Sequence, residues 1–212
     1  MNYLYLHGFA SGPQSAKAVY LRDRFAEQGL DLQIPDLNQA DFSTLTLTRQ
    51  LRQCEGILNS QSGPWTVLGS SLGGFTAAWL GQTHPLVERM VLLAPAFDFL
   101  GHWQQQLGPE KLQQWQQSDM IEVFHHAVGR SLPLRYQFWE DAEQYTETHL
   151  QRPVPTLIFH GMADEVIPIA ASRTYAAQRS WCRLIELPSD HGLLDTLPKL
   201  WTSIQSFCIL DR

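Results

Sequence analysis

The chain has 212 residues, of which 44% are hydrophobic and 17% are charged, as expected for a globular protein that buries a core. Its formal net charge of −6 and its lack of a basic run argue against binding to nucleic acid or to anionic membrane surfaces. Cys54, Cys182 and Cys208 lack metal-site spacing, and no apolar run reaches the roughly 18 residues of a membrane span. We expect a single cytoplasmic domain without a secretion signal.

Short apolar segments alternate with helical patterns along most of the chain. The predicted strands are residues 3–6, 32–35, 65–68, 90–93, 156–159 and 183–187. The predicted helices are residues 15–28, 43–60, 75–83, 170–178 and 197–210. Short, wholly apolar strands that lead into helices are typical of a parallel sheet covered on both faces. The sequence therefore predicts one α/β domain, residues 1–212, with about six parallel strands and right-handed crossovers.

Residues 97–150 interrupt this alternation. Gly108 separates two predicted helices, and Pro109 stands where a second helix can begin. The segment is rich in glutamine, which indicates a solvated helix face, and in aromatic side chains that include Trp103 and Trp139. We expect this insertion to form a mostly helical lid, with Trp103 or Trp139 lining a substrate pocket.

A Gly-x-Ser-x-Gly segment lies between the third predicted strand and its helix. This pattern is typical of a nucleophile elbow, a sharp strand-to-helix turn that exposes one strained residue. Gly69 and Gly73 stand where a Cβ would crowd the turn. The segment therefore predicts Ser71 as a catalytic nucleophile with the positive end of a helix behind it.

The chain also contains a candidate base and a candidate acid for this serine. A serine needs a base at neutral pH, and an imidazole, with an ordinary pKa near 6.5, is well suited. His191 is the only histidine after the last predicted strand, and Asp164 follows the fifth, which matches the order serine, acid, histidine. Asp164 is expected to orient the imidazole. Asp98 is the rival acid, whereas Asp190 and Asp195 are expected to cap or to be solvated.

The other histidines are assigned structural positions. His7 and His160 end strands and are expected to form hydrogen bonds within turns, and His84 ends a helix before a proline. His125 and His126 are adjacent, so they cannot easily face one ion, and no third ligand is near. We therefore expect no metal site.

A tetrahedral intermediate needs hydrogen-bond donors for its oxyanion. The backbone N–H of Leu72, directly after the nucleophile, is expected to be one of them. The loop after the first strand should supply the other, which we assign to the N–H of Phe9. Both belong to the carboxyl edge of the predicted sheet, where ligands bind in this class of fold.

The motifs resemble those of the α/β-hydrolases and, more narrowly, of the small YqiA-type esterases. Residues 5–17 are similar to that family's opening, residues 69–74 are similar to its elbow, and the loop at 160–168 is similar to one found in much of the superfamily. Gly12 stands where these esterases tend to have a second serine. The match covers residues 1–95 and 153–212. The resemblance implies an α/β-hydrolase fold and hydrolysis of carboxylic esters or thioesters without a cofactor.

Three kinds of function are compatible with these residues. The first is a serine hydrolase that cleaves small or medium acyl esters or thioesters through an acyl-enzyme. A lyase of the menaquinone-pathway type would use the same groups to abstract a proton and would form no acyl-enzyme. A small-molecule receptor on a hydrolase scaffold would be non-catalytic, and the complete set of catalytic groups argues against it. The expected partner is therefore a small acyl ester or thioester.

Overall fold

A computed structural model describes residues 1–208 of the chain. In chain order, its strands are β1 (Asn2–Leu6), β2 (Leu32–Gln33), β3 (Trp65–Ser70), β4 (Val87–Leu93), β5 (Met120–His125), β6 (Arg130–Arg135), β7 (Thr156–Gly161) and β8 (Cys182–Leu187). Its α-helices are α1 (Ala16–Glu27), α2 (Leu47–Ser60), α3 (Leu72–Thr83), α4 (Phe99–Ser118), α5 (Gln137–Ala142), α6 (Ile169–Ala177) and α7 (Leu197–Cys208). Short 3-10 helices lie at Phe42–Thr44, Glu147–His149 and Leu194–Thr196. Each helix in this part of the chain is too short or too polar to span a membrane.

Six of the strands form one parallel sheet in the order β2-β1-β3-β4-β7-β8. The register pairs Leu6 with Gly69, Ser70 with Leu93, and Leu93 with Phe159. The carboxyl ends of these strands are therefore level, and the loops that follow them leave the sheet at one edge. The strand order changes direction at β1 and β3, which is where ligands bind in open α/β sheets. The predicted parallel α/β fold is confirmed.

Helices cover both faces of this sheet because its strands are apolar on both faces. On β1, Leu4 and Leu6 are buried in a cluster that also contains residues of α2, α3 and α6. Tyr3 and Tyr5, which point to the other face, are buried with residues of α1 and α7. Strands between two helical layers have no polar face, so they appear in the sequence as continuous apolar runs.

The observed elements are close to the predicted ones, with differences at their ends. The helix predicted at 43–60 is a 3-10 turn followed by α2, because the side chain of Thr46 accepts the Arg49 N–H and starts a new helix there. The elbow helix begins at Leu72, three residues earlier than predicted. This first turn was not predicted because it contains two consecutive glycines, Gly73 and Gly74, and glycine is a poor helix former. The end of the last predicted helix, residues 209–210, lies outside the described residues.

Residues 97–150, which we call the cap, are helical over much of their length but also contain a hairpin. The helix α4 bends at Gly108, whose φ is 74°, and its second half begins at Pro109, as predicted. The strands β5 and β6 then pair antiparallel in a hairpin that the sequence analysis did not predict. Its inward side chains alternate, with Ile121 and Val123 on β5 packed against the core. This two-residue period was obscured by aromatic residues spaced as in a helix.

Candidate active site

The turn between β3 and α3 holds Ser71 in a strained conformation. Its φ of 54° and ψ of −122° lie outside the regions that residues other than glycine usually adopt. A Cβ on Gly69 would lie 2.2 Å from the carbonyl O of Gly73, and a Cβ on Gly73 would lie 2.2 Å from the carbonyl O of Leu6. Both positions therefore require glycine. The turn has the geometry that the sequence pattern predicts for a nucleophile elbow.

The loops after β7 and β8 bring Asp164 and His191 together. Nδ1 of His191 lies 2.8 Å from Oδ2 of Asp164, and the carboxylate is fully buried whereas 23% of the histidine side chain is exposed. Because a carboxylate only accepts hydrogen bonds, Nδ1 carries a proton and Nε2 is left to act as an acceptor. Within residues 1–208 the hydroxyl of Ser71 forms no hydrogen bond with His191.

Two amides and two imidazoles surround the carboxylate of Asp164. Oδ1 accepts hydrogen bonds from the amides of Val166 and Ile167, both at 2.9 Å. Oδ2 lies beside His191 and 3.1 Å from Nε2 of His160. Burial opposes ionisation of this carboxyl, but the hydrogen bonds from the two rings and from the Ile167 amide outweigh it and hold its pKa well below the ordinary value. The side chain is therefore a carboxylate at neutral pH, as the orienting partner of an imidazole must be.

The other acids considered in the sequence have different neighbours. Asp98 is exposed, and its Oδ2 is 3.9 Å from Nε2 of His102. Oδ1 of Asp190 accepts the N–H of Gly192 at 2.8 Å, and Asp195 accepts a hydrogen bond from a serine hydroxyl in the same loop. Asp164 is the acid that lies within hydrogen-bond distance of Nδ1 of His191.

Two of the other histidines form hydrogen bonds that hold neighbouring segments in place. Nε2 of His7 accepts the Leu37 N–H at 3.0 Å, and its Nδ1 lies 2.9 Å from the carbonyl O of Gly8. The His7 ring is therefore protonated on Nδ1 and holds the loop after β1 in place. Nε2 of His84 lies 3.1 Å from the side-chain oxygen of Asn59. Within the described residues, no group of three or more His, Cys, Asp or Glu side chains is placed to hold a metal ion.

The two residues expected to supply oxyanion donors, Phe9 and Leu72, both line the cavity that contains Ser71. Leu72 is the first residue of α3, so its N–H has no partner within the helix. The loop after β1 runs next to the serine, since a Cβ on Gly8 would lie 3.3 Å from the Cβ of Ser71. Phe9 follows in this loop and lines the same cavity as Ser71 and Leu72. The assignment of the N–H groups of Phe9 and Leu72 as donors stays a prediction.

The hairpin of the cap is attached to the loop after β1. The N–H of His126 donates to the carbonyl O of Ala10 at 2.8 Å. A Cβ on Gly12 would lie 3.1 Å from the Cβ of Ala127, which is tighter than most real contacts. A serine here, as in the esterases that the opening motif resembles, would press on Ala127. Glycine at position 12 therefore suits the hairpin that this chain carries.

A cavity of about 320 Å³ lies between Ser71 and the cap. Its apolar lining includes Phe99, Trp103, Leu107, Ile121, Val123 and Phe138, all of them cap residues. Three polar side chains besides the serine also line it, namely His102, Gln106 and Glu122. The cavity therefore offers a mostly apolar space directly beside the candidate nucleophile.

Of the two tryptophans predicted to line a pocket, Trp103 lines this cavity and Trp139 does not. Trp139 is 4% exposed, its ring centroid lies 6.1 Å from that of Trp103, and its Nε1 donates to Glu143 at 2.9 Å. The prediction named Trp103 or Trp139, and Trp103 is the one in the wall of this cavity. Trp139 packs behind Trp103.

Lys17 is a neighbour of the site to which the sequence analysis assigned no function. It lies in the first turn of α1, and its Nζ is 3.4 Å from the carbonyl O of His191. Burial lowers its pKa to about 8, and the carboxylates of Asp164 and Asp190 act in the opposite direction. A lysine early in a helix has the pattern of an ordinary surface cation. Only its position at the end of the opening motif could have drawn attention to it.

Comparisons with known proteins agree with this architecture. A family model described as an uncharacterised protein family, UPF0227, matches residues 2–208. Mouse alpha/beta hydrolase domain-containing protein 10 has a TM-score of 0.82 at 21% identity, covering 97% of this chain and 88% of that chain. Est1E from Butyrivibrio proteoclasticus, with ferulic acid bound, has a TM-score of 0.81 at 20% identity, covering 96% and 86%. A pyrethroid hydrolase from Sphingobium faniae has a TM-score of 0.69 at 18% identity, covering 100% and 99%. The chain therefore belongs to the UPF0227 family and has the α/β-hydrolase fold.

Proposed function

We propose that the chain is a serine hydrolase that cleaves carboxylic esters or thioesters of small or medium apolar acyl groups. The observation that carries this proposal is the position of Ser71, which stands in a strained elbow and faces an apolar cavity. The hydrogen bond between His191 and Asp164 supports it, because an oriented imidazole is what activates a serine. No cofactor or metal enters this mechanism.

In the proposed reaction, Nε2 of His191 accepts the proton of Ser71 as Oγ attacks the acyl carbon. The oxyanion of the tetrahedral intermediate accepts hydrogen bonds from the N–H groups of Phe9 and Leu72. His191 then donates its proton to the leaving alcohol or thiol, and an acyl-enzyme remains on Ser71. Water repeats the sequence to release the acid. Because an imidazole acts as a base only when it is neutral, kcat/KM should fall on the acid side of its pH profile.

The lining of the cavity suggests the kind of acyl group. Its walls are rings and aliphatic side chains, so an apolar chain or ring would be desolvated there at little cost. The structure of Est1E, which shares the fold, holds ferulic acid, an aromatic acid. Assays should therefore compare aromatic with straight-chain acyl groups, each as an oxygen ester and as a thioester.

Labelling with a fluorophosphonate probe tests the nucleophile. The wild type should be labelled, and Ser71→Ala should lose both the label and about 10⁴- to 10⁶-fold of kcat, because the attacking oxygen is absent. Ser70→Ala is the matched control, since this serine precedes the nucleophile but is buried on β3. It should remain labelled.

Two results would contradict the proposal. One is labelling or turnover that persists in Ser71→Ala, and the other is a folded wild type that neither reacts with the probe nor hydrolyses any ester of the panel. Mass spectrometry after incubation with an activated ester then separates hydrolysis from a lyase reaction. An acyl adduct on Ser71 supports hydrolysis, whereas substrate turnover without an adduct supports the lyase.

A further inference from the structure

The carboxylate of Asp164 has a second imidazole on the oxygen that faces His191. Nε2 of His160 lies 3.1 Å from Oδ2 of Asp164, and both side chains are fully buried. The same Nε2 lies 2.8 Å from the carbonyl O of Ile167, and Nδ1 lies 2.8 Å from the hydroxyl of Ser172. Every nitrogen of this ring therefore has a partner, and one of the partners is the proposed catalytic acid.

These contacts determine where the proton of His160 lies. Nε2 faces a carbonyl oxygen and a carboxylate oxygen, and neither group can donate a hydrogen bond. Nε2 must therefore carry a proton. The hydroxyl of Ser172 can donate, so Nδ1 can accept from it. The N–H of Nε2 therefore donates to the Ile167 carbonyl O at 2.8 Å and has Oδ2 of Asp164 beside it at 3.1 Å, while Ser172 holds the other nitrogen of the ring.

We propose that His160 is a positioning residue that keeps Oδ2 of Asp164 directed at His191 and limits how strongly this carboxylate attracts the His191 proton. This inference rests on the proposed function, because it assigns His160 a part in the same reaction. The amides of Val166 and Ile167 hold Oδ1, so His160 completes the fixation of the carboxylate at its other oxygen. A donor on Oδ2 also draws negative charge away from the bond to His191.

The charged groups around the two rings are few and can be named. Beside His191 lie Asp164, Lys17 from α1, and Asp190, whose Oδ1 is occupied by loop amides. Beside His160, the neighbouring strand β8 carries Glu186, which pairs with Arg173 of α6. Of these charged side chains, Asp164 is the one in contact with the His160 ring, so replacing His160 changes the charge environment of His191 through Asp164.

The first test replaces His160 by Phe, which keeps a planar ring, and by Gln, which keeps an N–H near the position of Nε2. His160→Phe removes the polar ring nitrogen that lies 3.1 Å from the Asp164 carboxylate, so kcat should fall about 10- to 100-fold with little change in KM. The acid limb of kcat/KM should move to higher pH, because the carboxylate then holds the His191 proton more strongly. His160→Gln should recover part of kcat and return the acid limb of the kcat/KM profile toward its wild-type pH.

Ser172→Ala is the matched control for this series. It removes the hydrogen bond on the other nitrogen of the same buried ring but leaves Nε2 and Asp164 in contact. If the His160 ring acted only by filling space, Ser172→Ala and His160→Phe could lower activity, but both would keep the acid limb of the kcat/KM profile at the wild-type pH. A folded His160→Phe variant with an unmoved acid limb would overturn the proposal.

A second measurement needs neither turnover nor a variant. Nitrogen-15 NMR of the histidine rings in the wild-type protein reports which ring nitrogen carries a proton. The proposal expects His160 to be protonated on Nε2, and a ring protonated on Nδ1 alone would overturn it. Because this readout does not depend on hydrolysis, a wild type that cleaves no ester while His160 is protonated on Nε2 would refute the proposed function and not the placement of this proton.

Discussion

The conformation of Ser71 is maintained by its own backbone groups. A residue at φ 54° and ψ −122° occupies a sparsely populated region that costs about 1–3 kcal/mol. Its N–H donates to Leu93 at 2.9 Å, and its carbonyl O accepts from Gly74, Phe75 and Ala96 at 2.9–3.1 Å. These four hydrogen bonds connect the turn to β4, to α3 and to the segment after β4. The backbone of Ser71 supplies these hydrogen bonds, so its side chain is not needed to hold the turn.

The ionised state of Asp164 should be visible in activity and in stability. Asp164→Asn should lower kcat about 10⁴-fold, because an amide no longer fixes the imidazole tautomer that the reaction needs. The folded-state pKa of Asp164 lies below that of an unfolded carboxyl. The carboxylate therefore stabilises the fold above about pH 4, and this contribution is lost as pH falls through the folded pKa.

Urea unfolding of the wild type and of Asp164→Asn tests whether the Asp164 carboxylate stabilises the fold at neutral pH. The free energy of unfolding of the wild type should exceed that of Asp164→Asn at neutral pH, and the difference should narrow below about pH 4. A difference that stays constant from neutral to acid pH would show that the charge of Asp164 is not what stabilises the loop.

The cysteines should be inert while the chain is folded. Burial raises the pKa of Cys54, Cys182 and Cys208 to about 12 in each case, so almost no thiolate is present at neutral pH. We expect slow reaction with a thiol reagent in buffer and rapid reaction of all three in guanidinium. The proposed ester hydrolysis should survive iodoacetamide. Rapid alkylation with loss of activity would indicate a reactive thiol that the structure does not contain.

At the scale of elements, short-range sequence patterns were sufficient to predict the strands of the parallel sheet but not the hairpin of the cap. The strands β1 and β3 are apolar on both faces, so they were recognisable without knowing their neighbours. The hairpin was missed because aromatic residues spaced as in a helix obscured its two-residue period, and because β6 contains Pro133, which is uncommon in a strand. Pro133 is tolerated because β6 pairs with β5 alone and leaves its other side unpaired.

The contact between α3 and β1 can be tested at one glycine. In Gly73→Ala the new Cβ would lie 2.2 Å from the carbonyl O of Leu6 and 2.4 Å from that of His7, so the end of β1 must move. We expect a loss of about 3 kcal/mol in the free energy of unfolding, together with a loss of activity. Thermal and urea unfolding, with ester hydrolysis, measure the two effects.

Gly56→Ala is the control for this substitution. Gly56 lies inside α2, and a Cβ there would meet nothing within 4 Å. Since alanine forms helices better than glycine, this variant should be more stable by about 0.5–1 kcal/mol. Equal effects of the two substitutions would mean that the close approach of α3 to β1 does not constrain the elbow.

At the scale of the whole molecule, the cavity depends on how distant segments are arranged. The order of the strands places the loops that carry Ser71, Asp164 and His191 at one edge, and this was deducible from parallel topology. The side chains that face the serine depend on the angle and depth at which the cap packs. No periodic pattern encodes these quantities, so Trp103 and Trp139 could not be distinguished in advance.

Trp103→Ala should change which substrates fit. Removing a ring from the cavity wall enlarges the space beside Ser71, so the preference should shift toward bulkier acyl groups. Phe124→Ala is the matched control, because Phe124 is 54% exposed on the same cap and does not line the cavity. A series of esters of increasing chain length measures the shift. An identical preference in both variants would exclude Trp103 from the acyl site.

The hydrogen bond from His126 to Ala10 joins the tip of the hairpin to the loop after β1. Ala10 adjoins Phe9, so a displacement of the hairpin tip is transmitted along the backbone to the amide proposed to stabilise the oxyanion. The tip does not line the cavity, so substitutions there are expected to alter the rate of the proposed reaction without altering which acyl groups fit.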